Sequence, residues 1–328
     1  MMAAPQPPRA TGRYQAMEAE YAALVVVLLL LIALFSAAAD HFFTRLTFTT
    51  LANQVPALTV ITVGMTLVLV AGGIDLSVGS VMALTAAILG VALAGWHWPL
   101  PLALLACGGI GALTGLVNGI VTVRWALPSF IVTLGMLEIA RGGAYLVTDS
   151  RSVFVGAGLD AIGAPLPWLG LSPAFLVAVA LVIAGQLLLT RTVFGRYLVA
   201  IGTNREAVRL SGIASAPVEV AVFTLSGALA GLGGAFHVAY LESVDPNAGI
   251  GLELSAIAAV VIGGTSLRGG RGSVVASFLG VLIIVVLQAG LAQVGASEPT
   301  KRIVTGGVII AAVVLDAIRH GWPQRAAG

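Results

Sequence analysis

Charge is the scarcest property of this chain. Only 9% of its 328 residues are charged, against about 25% in soluble domains. Lys301 is the single lysine, and Thr300 precedes it. A P-loop needs Gly-Lys-Ser/Thr to hold nucleotide phosphates, so the chain has no such site and any ATP used must bind elsewhere. Cys107 is the only cysteine, which excludes an intrachain disulfide and a cysteine metal site. The four histidines, His41, His97, His237 and His320, are scattered without an HExxH pattern, and no Gly-x-Ser-x-Gly elbow occurs. Neither an enzyme nor a cofactor site is therefore expected. A net charge of +2 gives no reason to expect nucleic acid as a partner.

Apolar residues fill the space that charge leaves. They make up 59% of the chain, and the mean hydropathy is +1.04. This is the composition of a protein that crosses the membrane many times. A spanning helix needs about 20 mostly apolar residues, and about ten such runs occur: 22–39, 55–72, 78–95, 99–122, 127–147, 172–190, 217–240, 251–264, 274–294 and 302–319. The run at 251–264 is short and reads as broken or re-entrant. The expected fold is all-α, a polytopic membrane protein of about ten transmembrane helices. The 41 glycines suit it, because small residues let membrane helices pack closely.

Ten spans put both termini on one side, and the positive-inside rule makes that side the cytoplasm. The cytoplasmic segments then hold Arg9, Arg13, Arg124, Arg191, Arg196, Arg205, Arg209, Arg268, Arg271, Arg319 and Arg325. The outer ones hold Arg45, Arg141, Arg151, Lys301 and Arg302 with six acids: Asp40, Asp149, Asp160, Glu242, Asp245 and Glu298. Residues 1–20, with Pro5, Pro7 and Pro8, read as a disordered cytoplasmic tail, 21–321 as the membrane domain, and 322–328 as a second tail. Arg9, Arg13 and the Ala37-Ala38-Ala39 stretch imitate a cleaved leader. The apolar run between them is longer than a leader needs, so it reads as the first span.

Chains of intramembrane ionisable groups, the mark of ion-coupled carriers, are missing. Glu138 and Arg141 lie three apart on one helix face and read as an internal ion pair near the outer surface. Asp75 is the other candidate. It sits in Gly72-Gly73-Ile74-Asp75-Leu76-Ser77-Val78-Gly79-Ser80, where glycines let the backbone bend between two apolar runs. Asp75 or Ser77 can cap the helix that starts near Val78. The segment can also line a pathway, as interrupted membrane helices do.

Two segments on the cytoplasmic side also carry information. In the loop 191–216, Asn204 is suited to an N-cap, Glu206 to a first turn, Arg209 to a last turn and Gly212 to a C′ position. Two turns of amphipathic helix follow, serving either as a connection or as a docking knob for a cytoplasmic partner. Gly263-Gly264-Thr265-Ser266-Leu267-Arg268-Gly269-Gly270-Arg271-Gly272-Ser273 reads as a glycine-rich turn and echoes the Asp75 motif as Gly-Gly-x-x-Leu-x-x-Gly.

These segments, with Val63-Gly64-Met65-Thr66-Leu67 and Pro128-Ser129-Phe130-Ile131-Val132-Thr133-Leu134-Gly135-Met136, resemble the permease subunits of ribose/xylose/galactoside-type bacterial ABC importers. The likeness covers most of the chain, and four motifs agree in order. It implies an inner-membrane subunit that forms the path for a monosaccharide. It also implies a second permease copy, a cytoplasmic ATPase with tandem nucleotide-binding domains and a periplasmic sugar-binding protein. The family's coupling helix falls on 203–213, with Asn204, Arg205, Glu206, Ala207, Arg209 and Gly212. Gly72, Gly73, Asp75, Ser77 and Gly79 fall on the broken helix beside the path, and Gly263, Gly264, Thr265, Arg268 and Gly270 on the cytoplasmic turn. Thr203 and Val208 depart from the family's frequent Gly and Ala. The alternative is another small polar cargo (a polyol, a furanone or a nucleoside), and an ion-coupled carrier is the reading the residues fit less well.

Overall fold

The computed structural model describes residues 10–319. Thirteen α-helices, one short 3-10 helix (Gly156–Leu159) and one two-stranded ribbon are found among them. The helices are α1 (Ala10–Ala38), α2 (Arg45–Gln54), α3 (Pro56–Val70), α4 (Val78–Ala94), α5 (Leu100–Arg124), α6 (Ser129–Val147), α7 (Asp160–Gly163), α8 (Pro173–Arg191), α9 (Val193–Leu210), α10 (Ser215–Leu241), α11 (Leu252–Ile262), α12 (Val274–Gln293) and α13 (Glu298–Arg319). Strands β1 (Val153–Phe154) and β2 (Ser243–Val244) pair antiparallel, with Val153 opposite Val244.

Each apolar run contains a helix. Six helices are long and apolar enough to cross a membrane: residues 19–38 of α1, and all of α5, α6, α8, α10 and α12. Helices α2 and α3 make a seventh candidate, bent by 48°. Pro56 opens α3 there, and a proline fits the first turn but cannot continue the α2 hydrogen bonding. Helices α4 and α11 are apolar but shorter. Helix α1 starts at Ala10, inside the stretch read as an irregular tail, because no proline follows Pro8 until Pro56. Residues 1–9 and the expected tail 322–328 lie outside the described residues.

Helix α10 is the central post, packed against α3, α4, α5 and α9. Its contact with α5 is backbone on backbone. Gly111, Gly115 and Gly119 recur every fourth residue on one face of α5 and meet Gly227, Phe223 and Val220 of α10. A Cβ on Gly119 would lie 2.8 Å from the Val220 Cα, so a larger residue would push the helices apart. Such small-residue stripes replace the hydrophobic effect as the cause of association in lipid.

Two interruptions shape the interior. Helix α3 ends in a Schellman turn, in which Gly72 N–H donates to Leu69 O and Gly73 N–H to Val68 O. Helix α11 ends identically, with Gly264 N–H to Val261 O and Thr265 N–H to Val260 O. Gly72 and Gly264 carry the positive φ, 84° and 77°. The Gly-Gly pairs of the two motifs are therefore used one residue out of step. Helix α11 has 11 residues, about 16 Å of rise and half a span. The loop before it, 245–251, runs beside α4. Val244 packs on Gly90 near the C-terminal end of α4, and Gly249 reaches Gly79 at its start. This loop thus re-enters the bundle along α4.

Candidate functional site

The broken segment between α3 and α4 is held by side chains from three other helices. Asp75 is 1% exposed. Its Oδ1 accepts from Ser77 N–H at 3.1 Å and from Ser77 Oγ at 2.6 Å, and its Oδ2 accepts from Ser226 Oγ of α10 at 3.0 Å. Asn118 of α5 donates to Ser77 Oγ at 3.0 Å. From α6, Thr133 Oγ1 accepts from Leu76 N–H at 3.0 Å, and Ser129 Oγ accepts from Ile74 N–H at 2.9 Å. No ion pair involves Asp75 among the described residues. A segment without helix bonds can sit in the bundle only because these groups satisfy its backbone. Of the two capping candidates, Asp75 accepts from an N–H at the start of α4 and Ser77 does not. Ser77 precedes α4 without a side-chain cap bond; instead Asp75 closes an Asx turn on Ser77 and ties it to α10.

The loop 191–216 is almost entirely helical. Helix α9 follows α8 after one residue, Thr192, whose Oγ1 accepts from Gly195 N–H at 3.1 Å. It breaks at Asn204, where φ is −159° and ψ 95°. Asn204 Oδ1 accepts from Ala207 N–H at 2.9 Å, which starts the final helical piece. Gly212, with φ at 77°, ends it: its N–H donates to Arg209 O, and Ile213 N–H to Val208 O. Arg209 Nε donates to Glu206 Oε2 at 2.9 Å, and this guanidinium holds the exposed carboxyl below the usual glutamate range. Arg205 reaches over to Glu219 at the start of α10, 3.0 Å away.

The three glycine-bearing segments converge on one contact. Gly270 N–H donates to Val70 O, the last residue of α3, at 2.8 Å. A Cβ on Gly269, where φ is 85°, would lie 2.9 Å from Gly72 Cα and 3.0 Å from Gly202 Cα of α9. Gly270 abuts Thr203, immediately before the Asn204 break. Gly263 packs on the backbone of Ala276 and Ser277 of α12. Thr265 is buried at 1% and its Oγ1 accepts from Ser273 N–H at 3.4 Å, which closes the turn, while Arg268 lies at its exposed tip. This glycine node therefore joins the broken segment, the capped helix and the turn.

Gly79 stands apart, beside the re-entrant loop: a Cβ there would lie 2.5 Å from Gly249 O and from Glu253 Oε2. The loop is clamped by Arg141 of α6, whose Nη1 donates to Pro246 O and Ala248 O, both at 2.7 Å. The expected pair with Glu138 does not form among the described residues, because those carbonyls hold the guanidinium while Glu138 is exposed. Sequence reasoning missed Asn118, Ser226 and Gly202. The first two are polar residues within apolar runs, a usable signal in a membrane helix. Gly202 had none, since its neighbours are distant in sequence.

Comparison with known proteins gives the family. Residues 47–313 match the family model described as branched-chain amino acid transport system / permease component. The chain belongs to that family. It is 38% identical over 300 residues to the ribose import permease protein of Escherichia coli (strain K12), covering 89% of this chain and 92% of the relative. It is 34% identical over 302 residues to the fructose import permease protein of Rhizobium meliloti, covering 89% and 84%. The autoinducer 2 import system permease protein of Photorhabdus luminescens is 32% identical over 299 residues, covering 90% and 89%. No solved structure matches. Membership and the long apolar helices make this permease a multi-pass inner-membrane protein.

Proposed function

We propose that the chain is the membrane subunit of an ABC importer and forms the translocation path for a monosaccharide. The names of its relatives support the cargo class. One observation carries the mechanism. The exposed, doubly capped helix 205–210 stands on the same glycine contact as the end of the broken α3–α4 segment. A push on Glu206 or Arg209 from a cytoplasmic ATPase reaches Gly72 through Thr203, Gly270 and Gly269, which lack bulky or flexible side chains to absorb it. Asp75, held by Ser226, carries the displacement into the bundle. Nucleotide binding and hydrolysis on the partner, built with tandem nucleotide-binding domains, then switch the path between two states.

Ten crossings with both termini in the cytoplasm remain the preferred topology. Helix α4 is continued inward by residues 71–77, and α11 outward by the re-entrant loop, so each completes a crossing. The arginine bias of the 191–216 and 263–273 segments then faces the cytoplasm. Glu138, exposed at the middle of α6, argues for a second permease copy. A carboxylate at mid-depth is costly against lipid, so this face turns to a water-filled path between two copies. A periplasmic sugar-binding protein supplies the cargo at the end that bears 148–171. The test is assembly. The purified chain, mixed with its ATPase, should co-elute as a complex whose ATP hydrolysis rises with loaded binding protein. Failure to bind any ATPase contradicts the reading.

A further inference from the structure

A cavity of about 850 Å³ lies at the other end of the bundle from the glycine node. It is walled by α2, the start of α11, the last turns of α12 and the first turns of α13. Its size falls within the range of small-molecule sites, roughly 300–1,000 Å³. The floor is apolar, with Leu51, Val285 and Ile309. Thr47 and Ser255 spend their hydroxyls on backbone carbonyls, but other amides and hydroxyls of the wall are left free. The side chain of Gln288, half-buried on α12, makes no hydrogen bond among the described residues, and neither does that of Thr50, exposed on α2. Gln293 uses its Nε2 on Thr47 Oγ1 at 3.3 Å and keeps its carbonyl oxygen free. The charged groups are Glu298, Lys301 and Arg302 of α13: Lys301 Nζ lies 2.6 Å from Glu298 Oε2, and Arg302 Nε lies 3.6 Å from Glu298 Oε1. No aromatic ring contributes to the wall.

This combination selects a ligand class. Free amides offer donors and acceptors together, which suits vicinal hydroxyl groups. Glu298 is shared by two cations, and the excess positive charge falls on Arg302, which is 71% exposed and screened by solvent, so the amide-lined wall itself is uncharged. Lack of a stacking ring keeps the hold weak, as a passage requires. The re-entrant loop forms one wall through Gly249, Ile250 and Gly251, and its other side is the carbonyl clamp of Arg141 on the exposed face of α6. The cavity is therefore one loop's thickness from the face assigned to the path.

We propose that this cavity is a transit site for a neutral, polyhydroxylated cargo, held by the free amides of Gln288 and Gln293 and the hydroxyl of Thr50. The proposal rests on the importer reading given above. The complete importer in proteoliposomes, fed by its binding protein, tests both separately. Uptake of labelled ribose and of 2-deoxyribose is compared for the unaltered chain and for Gln288→Leu and Gln288→Asn. Because the binding protein is common to all, a change in the ratio of the two sugars belongs to the permease. Gln288→Leu should lower ribose uptake about three- to ten-fold, the worth of one or two hydrogen bonds, and shrink the preference over the deoxy sugar. Gln288→Asn should keep part of that preference, which a purely packing role would not. A second reading uses Gln288→Cys with a membrane-impermeant thiol reagent. Cys107 is buried, so the new thiol reports alone, and labelling should slow when ribose-loaded binding protein replaces the sugar-free form. An unaltered chain that imports ribose, with variants matching its ratio and with labelling indifferent to ribose, overturns the transit site. An unaltered chain that imports neither sugar with ATP and both partners overturns the importer reading instead.

Discussion

Replacing Asp75 tests whether the broken segment is held by hydrogen bonds or only by its surroundings. Asp75→Ala removes the acceptor for three donors: Ser77 N–H, Ser77 Oγ and Ser226 Oγ. The two hydroxyls can turn to nearby carbonyls. The Ser77 N–H cannot, because it precedes α4 and no other acceptor is recorded for it. One buried orphan costs about 1–3 kcal/mol. Allowing for partial recovery by the hydroxyls and for the space left, the loss should be about 2–5 kcal/mol. Asp75→Asn keeps an oxygen for Ser77, and the Ser226 hydroxyl can accept from the new amide instead of donating. Its loss should stay under about 1.5 kcal/mol. The assay is equilibrium unfolding of the purified chain in mixed micelles with rising dodecyl sulfate, followed by its far-UV helix signal. Uptake by the assembled importer is measured in parallel. Equal stability of the alanine and asparagine variants, or an alanine variant as stable as the parent, refutes the hydrogen-bond account.

Glycine substitutions separate packing from backbone strain. Gly212→Ala meets open space at a positive φ, so it should cost only the left-handed penalty, about 1–2 kcal/mol. Gly269→Ala meets the backbones of Gly72 and Gly202 as well, and overpacking should add about 1–3 kcal/mol; equal melting midpoints would contradict the node. Replacing Glu206 and Arg209 together with alanine should leave membrane insertion and unfolding unchanged, since both are exposed, while ATP-driven uptake falls at least ten-fold; normal uptake would remove them from the coupling contact. The Glu206 carboxyl is depressed by Arg209. Its support for the capped helix is therefore complete above the ordinary glutamate pKa of about 4.3 and fades as pH falls through the lower folded value. A carbon-13 titration of Glu206 in the full chain should place its midpoint below that of free glutamate, and a midpoint at or above it contradicts the pair.

Local signals were legible in the sequence wherever chemistry and chain neighbours coincide. Asn204 and Gly212 bracket one short helix, and their capping follows from residue type and spacing alone. The helix-breaking role of Gly72 was equally plain. What was not legible was long-range. Asp75 looks like a helix cap, but nothing near it in the chain points to its second bond, to Ser226, 151 residues away. Arg141 looks like a partner for Glu138 because both share a helix face, yet carbonyls of a loop more than 100 residues on hold it. The half-length α11 was flagged by its short apolar run, but the loop before it is polar and glycine-rich and gave no sign of running back along α4. Gly202 and Gly269 meet only because α9 and the 263–273 turn fold against α3.

The central claim is that this chain moves sugar only as part of an ATP-driven assembly. Its most direct test is uptake of labelled ribose, fructose and arabinose into proteoliposomes holding the chain, with and without ATPase, ATP and binding protein. The account predicts uptake of at least one sugar when all are present and none when any is withheld. Uptake by the chain alone, following a proton or sodium gradient, would contradict it.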